Sequence, residues 1–271
     1  MGESGAWATF ITPTILGEVV EVGVFTAMMM GAVPALLLMF YMLRPFDGLY
    51  PERSTFNSFV VGMAIGVVTG VMHVAIDPFA LLSPLLAIPV FVIGFAIFDQ
   101  FLRVVLFNSP RFSGKLETTF YTTSFGLGYA SMLAALWFYR SFTHPEIEIN
   151  AWVVTAFLAA SFSFAVVHGS TGMLVGFGAS IGEVWRYGLL GVGMEAVLNL
   201  LWYLALISSI YTPSGVVPVW EMTVISMAIA TGYGIWVLRW TMRRVVPELL
   251  PTETMRLRRR LIRKMGRDAS K

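Results

Sequence analysis

The sequence predicts an all-α, polytopic bundle of about seven membrane-spanning helices, and three observations predict it. Hydrophobic residues make up 57% of the 271 positions and charged residues only 13%, too little polar surface for a soluble globule. Apolar runs of about 20 residues, the length that crosses a bilayer as a helix, recur at 22–43, 57–76, 80–107, 118–139, 151–178, 187–208 and 217–238. The intervening loops are short, about 4–13 residues, which sets neighbouring spans antiparallel and leaves no room for a second folded domain. Residues 1–240 are therefore expected to form one transmembrane domain, and 241–271 a basic tail.

Taken in order, the first span follows a segment with no basic residue before Arg44 and no small-residue cleavage site, so it reads as a retained span and not as a signal peptide. The second carries Gly62, Gly66 and Gly70 at four-residue intervals, the small-xxx-small pattern of close helix packing, within the bundle or against a partner. Near its outer end His73 and Asp77 are four apart, and Asp77-Pro78 reads as a turn, so this pair is expected to be hydrated. The third span holds Asp99 and Arg103, and the fifth holds His168 followed by Gly169, Ser170 and Thr171. In the sixth, Glu195 and Asn199 lie one turn apart on one face, and Gly188 and Gly191 continue that stripe, leaving room for another helix. With no cysteine in the chain, disulfides, thiolate catalysis and Cys-ligated metals are excluded.

The tail from Thr241 onward carries ten of the eighteen basic residues. Leu257, Leu261 and Met265 make an apolar stripe among Arg256, Arg258, Arg259, Arg260, Arg263 and Lys264, the pattern of a surface helix on anionic lipid. No aromatic or recognition motif supports a nucleic-acid partner. If the tail is cytoplasmic, Arg44, Arg53, Arg111, Lys115 and Arg186 share its side and only Arg140 lies opposite, which predicts a cytoplasmic C-terminus and an outside N-terminus.

Asp99, His168 and Glu195 stand inside spans, where an ionisable group costs several kcal/mol and marks a site, a pathway or a helix-locking pair. Counted from the cytoplasmic ends at 1.5 Å per residue, Asp99, His168 and Asn199 come to similar depth. The structural readings are an intrahelical Asp99–Arg103 ion pair with Arg103 snorkelling to the interface, a neutral His168 hydrogen-bonded across a helix contact, and a Glu195 packed or paired with His168. The functional reading is a polar pocket open to the cytoplasm.

The order of these motifs resembles the PrsW-type intramembrane proteases of the CAAX-protease superfamily. The stretch MMMGAVPALLLMFYMLRPFDGLYPERSTFNSFVVGMAIG is similar to the family's opening span and loop. GFAIFDQFLR stands where the family has Glu-Glu-x-x-Lys, with Asp99, Gln100 and Arg103 at those positions. ETTFYTTSFGLGYASMLA stands where the family has an acidic residue and a Gly-Phe-Ala-x-x-Glu-Asn ending, which puts Leu133 and Ala134 at the Glu and Asn. SFAVVHGSTGMLVGFG matches the His-containing span at His168, and AVLNLLWYL puts Asn199 at the second His.

The resemblance covers roughly residues 25–205 and implies a protease scaffold whose catalytic set is degenerate. Peptide hydrolysis in a bilayer needs an activated water, from a metal or a carboxylate base, and a donor for the oxyanion. Two functions follow from it. One is a scaffold or accessory subunit of a membrane complex, with other membrane proteins as partners. The other is an active peptidase rebuilt on Asp99, His168, Glu195 and Asn199, with a divalent metal such as zinc. A transporter is a third reading, but no span pair shows broken helices or an inverted repeat.

Overall fold

A computed structural model describes residues 18–75, 82–143, 151–211 and 219–249, and all regular structure within them is helical. The order is α1 (Glu18–Leu43), a 3-10 turn (Arg44–Phe46), α2 (Glu52–Ala75), α3 (Pro84–Pro89), a π-helical turn (Val90–Gly94), α4 (Phe95–Phe107), α5 (Thr118–Phe142), α6 (Ala151–Ile181), α7 (Val184–Tyr211) and α8 (Val219–Leu249). Five stretches are long and apolar enough to cross a bilayer: Gly23–Phe46, Glu52–His73, Leu86–Phe107, Ala151–Ile181 and Val184–Ala205. The protein is an integral membrane protein. The other two expected spans, 118–139 and 217–238, fall on α5 and α8, which are long enough but less apolar.

The position of α5 explains its composition. It is the central helix, packed by α1, α2 and α6, and its residues 122–135 are buried without a break. A helix that meets protein all round needs no lipid-compatible surface, so Thr118, Thr119, Thr122, Thr123, Ser124 and Ser131 are tolerated there. Several of these hydroxyls bond back to their own helix, as Thr122 Oγ1 does to the Thr118 carbonyl at 2.8 Å and Thr123 Oγ1 to that of Thr119 at 2.6 Å. The outer helices show the reverse pattern, with Phe25, Leu37, Phe40 and Tyr41 of α1 exposed to the bilayer.

Small residues set the registers. A Cβ on Gly62, Gly66 or Gly70 would meet Phe125, Tyr129 or Leu136, so the expected stripe packs within the bundle, and the rising numbers on both sides make α2 and α5 parallel. The backbone of Gly126 lies against His168, while Gly172 and Gly176 of α6 lie against Thr122 and Thr118, so α5 and α6 are antiparallel. On α7, Gly188 faces Val104 and Gly191 faces Gln100, and α4 fills the space those glycines leave, as their stripe predicted. These directions bring Arg53, Arg111, Lys115 and Arg186 to one end of the bundle. At the C-terminal end, α8 runs past residue 240 to Leu249, with Thr241 and Val245 buried. Asp77 and the basic segment Arg256–Lys264 lie outside the described residues.

Candidate functional site: a buried guanidinium on Glu195 and His168

Arg103 is the largest fully buried side chain of the described residues. Its burial follows from the close approach of α4 to α7: with glycine at 188 and 191, the two backbones sit too near for a long side chain to lie between them toward the interface. Arg103 turns inward instead. One terminal nitrogen donates to Glu195 Oε1 at 2.5 Å and to Thr171 Oγ1 at 2.8 Å, and the other reaches His168 Nδ1 at 2.5 Å. Thr171 in turn donates to Glu195 Oε1 at 2.7 Å, and the guanidinium carbon lies 5.1 Å from the centre of the Tyr129 ring.

This corrects the expected intrahelical Asp99–Arg103 pair with a snorkelling arginine. The partner of Arg103 is Glu195, from another helix, because a planar fork with five donors satisfies more acceptors at the centre of the bundle than one carboxylate on its own helix offers. The expected Glu195–His168 contact is present, at 2.8 Å between Oε1 and Nδ1. The guanidinium asks Nδ1 of His168 to accept and the Glu195 carboxylate asks it to donate, so this nitrogen can satisfy one of its two neighbours at a time.

Asp99 keeps different company. Its carboxylate accepts the Tyr129 hydroxyl, and His73 Nε2 lies 3.5 Å from Oδ1. The His73 ring is stacked on Phe95 with centroids 3.8 Å apart, and the residue is buried. The expected hydration of His73 is thereby corrected, because Phe95 presents an aromatic surface to it across the α2–α4 contact, while its expected partner Asp77 lies outside the described residues. A histidine at the end of an apolar run gives little signal until the opposing helix is known.

Asp99, His168 and Glu195 each bring one donor atom within 4.8 Å of the other two, so the structure assembles the three intramembrane ionisable residues singled out by sequence. Asn199 stands one turn away on the same face of α7 and is used otherwise: its Nδ2 donates to the Val92 carbonyl at 3.3 Å, inside the π-helical turn. That turn frees backbone carbonyls from the regular ladder, and the amide takes one of them. Leu133, at the position where the resemblance expects an acid, belongs to the apolar core between α5 and its neighbours.

A zinc ion bonded to both Glu195 Oε1 and His168 Nδ1 would stand about 2 Å from each, in the space the Arg103 guanidinium fills. Those two donors therefore do not fit a metal while Arg103 is in place. The resident cation is the arginine itself, which neutralises one buried carboxylate and fixes α4, α6 and α7 to one another. Glu195 Oε2, His168 Nε2 and both side-chain polar atoms of Gln100 are buried without a hydrogen-bond partner. Comparison with protein-family models, with characterised proteins and with solved structures finds no match to this chain.

Proposed function

We propose that this membrane protein keeps a PrsW-like intramembrane-protease scaffold without its catalysis and serves as a scaffold or accessory subunit of a membrane complex. The observation that carries this reading is the buried Arg103 guanidinium, seated on Glu195 Oε1 and His168 Nδ1, two of the atoms that a hydrolase would give to a metal or a water. The apolar Leu133 supports it, since the bundle offers no acid there. In this reading the chain crosses the bilayer seven times, α5 and α8 included, with the N-terminus outside and the C-terminus cytoplasmic. The collection of Arg53, Arg111, Lys115 and Arg186 at one end supports that orientation. Its partners are other membrane proteins, and anionic lipid through the tail that carries Arg256, Arg258, Arg259, Arg260, Arg263 and Lys264.

The test is to reconstitute the purified protein, present membrane-spanning peptides and measure cleavage beside bound metal. The scaffold reading expects no cleavage, no stoichiometric zinc, and no change in either on His168→Ala. The chain has no native cysteine, so single introduced cysteines report topology directly by membrane-impermeant labelling.

A second reading, an active peptidase, is favoured by the clustering of Asp99, His168 and Glu195 donors within 4.8 Å. It requires Arg103 to withdraw from Glu195 and Asn199 to leave the Val92 carbonyl. Cleavage by the parent that is lost in both His168→Ala and Glu195→Gln would establish it and end the scaffold reading.

A further inference from the structure

A cavity of about 550 Å³ lies at the end of the bundle that holds Arg111 and Lys115, between the first turns of α2 and the last turn of α4, with α5 as its floor. It exists because α4 packs chiefly on α7 and scarcely touches the lower part of α5, while α2 is held tight to α5 by Gly62 and Gly66. The two helices converge again where His73 stacks on Phe95. The result is a crevice that narrows toward the bilayer centre.

Its lining is layered along the membrane normal. At the mouth stand Arg111, Lys115, Ser54 and Asn57, and about two turns of α2 deeper stand Val61, Leu106, Phe107 and Phe125. Val61 and Leu106 are exposed and belong to stretches apolar enough to cross the bilayer, so the deep part faces hydrocarbon. The mouth is basic. Arg111 and Lys115 make no ion pair among the described residues, and the guanidinium of Arg111 lies over the Phe112 ring at 5.6 Å. Glu117 is the single acidic residue of the lining, which leaves it one positive charge in excess.

We propose that this crevice is a binding site for one glycerophospholipid with an anionic headgroup, its phosphate held by Arg111 and Lys115 and an acyl chain laid against Val61, Leu106 and Phe125. Two unpaired cations above an apolar cleft complement a headgroup that carries net negative charge better than a zwitterionic one, whose own cation would meet Arg111 or Lys115. The chain's own tail does not suit the site, because Arg256–Lys264 repeats the charge already there. This assignment stands independently of the scaffold reading, since it uses none of the residues around Arg103.

The experiment is native mass spectrometry of the full chain released from nanodiscs of equal parts phosphatidylglycerol and phosphatidylcholine with identical acyl chains. The expected result is retention of one phosphatidylglycerol over phosphatidylcholine by roughly tenfold or more, which is about 1.4 kcal/mol or more. Arg111→Gln with Lys115→Gln brings that ratio near unity, and Val61→Trp, which fills the acyl end and leaves the charges, lowers retention of both lipids. Substituting the six basic residues from Arg256 to Lys264 by Gln leaves the ratio intact, and millimolar inorganic phosphate displaces nothing. A ratio unchanged by the Arg111/Lys115 pair, or abolished by the tail substitutions alone, overturns the proposal. Displacement by phosphate also overturns it, by showing a site for the anion and not for the lipid. Far-ultraviolet circular dichroism of each variant confirms that the helices are intact before the ratios are compared.

Discussion

Asp99 and Glu195 are two carboxylates at the same depth in one bundle, both buried, and they are handled in opposite ways. Glu195 receives a guanidinium and a threonine hydroxyl, and its charge is compensated within one interhelical network. Asp99 receives a phenol and lies near an imidazole, neither of them a fixed cation. The contrast teaches that an i,i+4 cation does not belong to its sequence neighbour by default. The fork of Arg103 goes where the greater number of acceptors can be reached, and Asp99 is left to the Tyr129 hydroxyl, with the His73 ring nearby.

The sharpest way to break this comparison is Arg103→Ala. It leaves Glu195 buried without its cation and is expected to cost about 3–5 kcal/mol of bundle stability, measured by unfolding in mixed detergent. Replacing both partners, Arg103→Met with Glu195→Gln, should recover most of that loss, because the penalty comes from the stranded charge and not from the absent pair. A double variant as unstable as Arg103→Ala would show that packing around the arginine, and not its charge, holds α4 to α7.

The next effect in size concerns the frame that brings the two carboxylates together. Gly126→Ala places a methyl against the His168 backbone, and Gly66→Ala places one against Tyr129. Each should cost about 1–3 kcal/mol through displaced helices, read by the same unfolding assay. Gly193, whose added Cβ would meet nothing, is the control that should tolerate the same change.

A smaller effect is expected at Asp99. Asp99→Asn keeps an acceptor for the Tyr129 hydroxyl, so its cost should stay near 1 kcal/mol, well below that of Arg103→Ala. Equal losses at the two positions would erase the distinction drawn between the carboxylates.

The smallest effect tests the same phenol–carboxylate pairing at the end of the bundle. Tyr50 donates to Asp47 Oδ1 at 3.3 Å in the loop between α1 and α2. Burial, and then the Asp47 charge, push its phenol up from 10.0 to about 12. A folded-state value above the unfolded one means that the contribution is present below pH 10 and fades as the pH climbs toward about 12. Tyrosinate absorbance, taken as the difference between the parent and Tyr50→Phe, should show this late titration, and Asp47→Asn should bring it only part of the way back.

How much of this was legible beforehand varies with the kind of interaction. The apolar runs at 22–43 and 151–178, and most of the one at 80–107 from Pro84 onward, become helices because length and hydropathy are local properties. The glycine pattern at 62, 66 and 70 is readable as a packing stripe, whereas the packing of Gly172 and Gly176 shows only where α6 meets Thr122 and Thr118 of α5. His168 and Glu195 were readable because ionisable groups are rare in such runs, and their contact was among the expected alternatives. Their link to Arg103 was not, since it depends on how closely α4 approaches α7. The role of His73 was hidden for the same reason, as Phe95 reaches it from another helix.

By itself, the sequence determined that the chain is a helical membrane protein, which residues are too polar for hydrocarbon, and where small residues let helices close. Those are consequences of composition and of a period of 3.6, and they hold whatever the neighbours are. Only the tertiary structure decided partners: that Arg103 serves Glu195, that Asp99 falls to Tyr129 and His73, that Asn199 caps the π-turn at Val92, and that a basic crevice opens between α2 and α4. The reason is physical. Which cation meets which carboxylate is settled by distances between helices, and those distances are set by side chains on both surfaces at once.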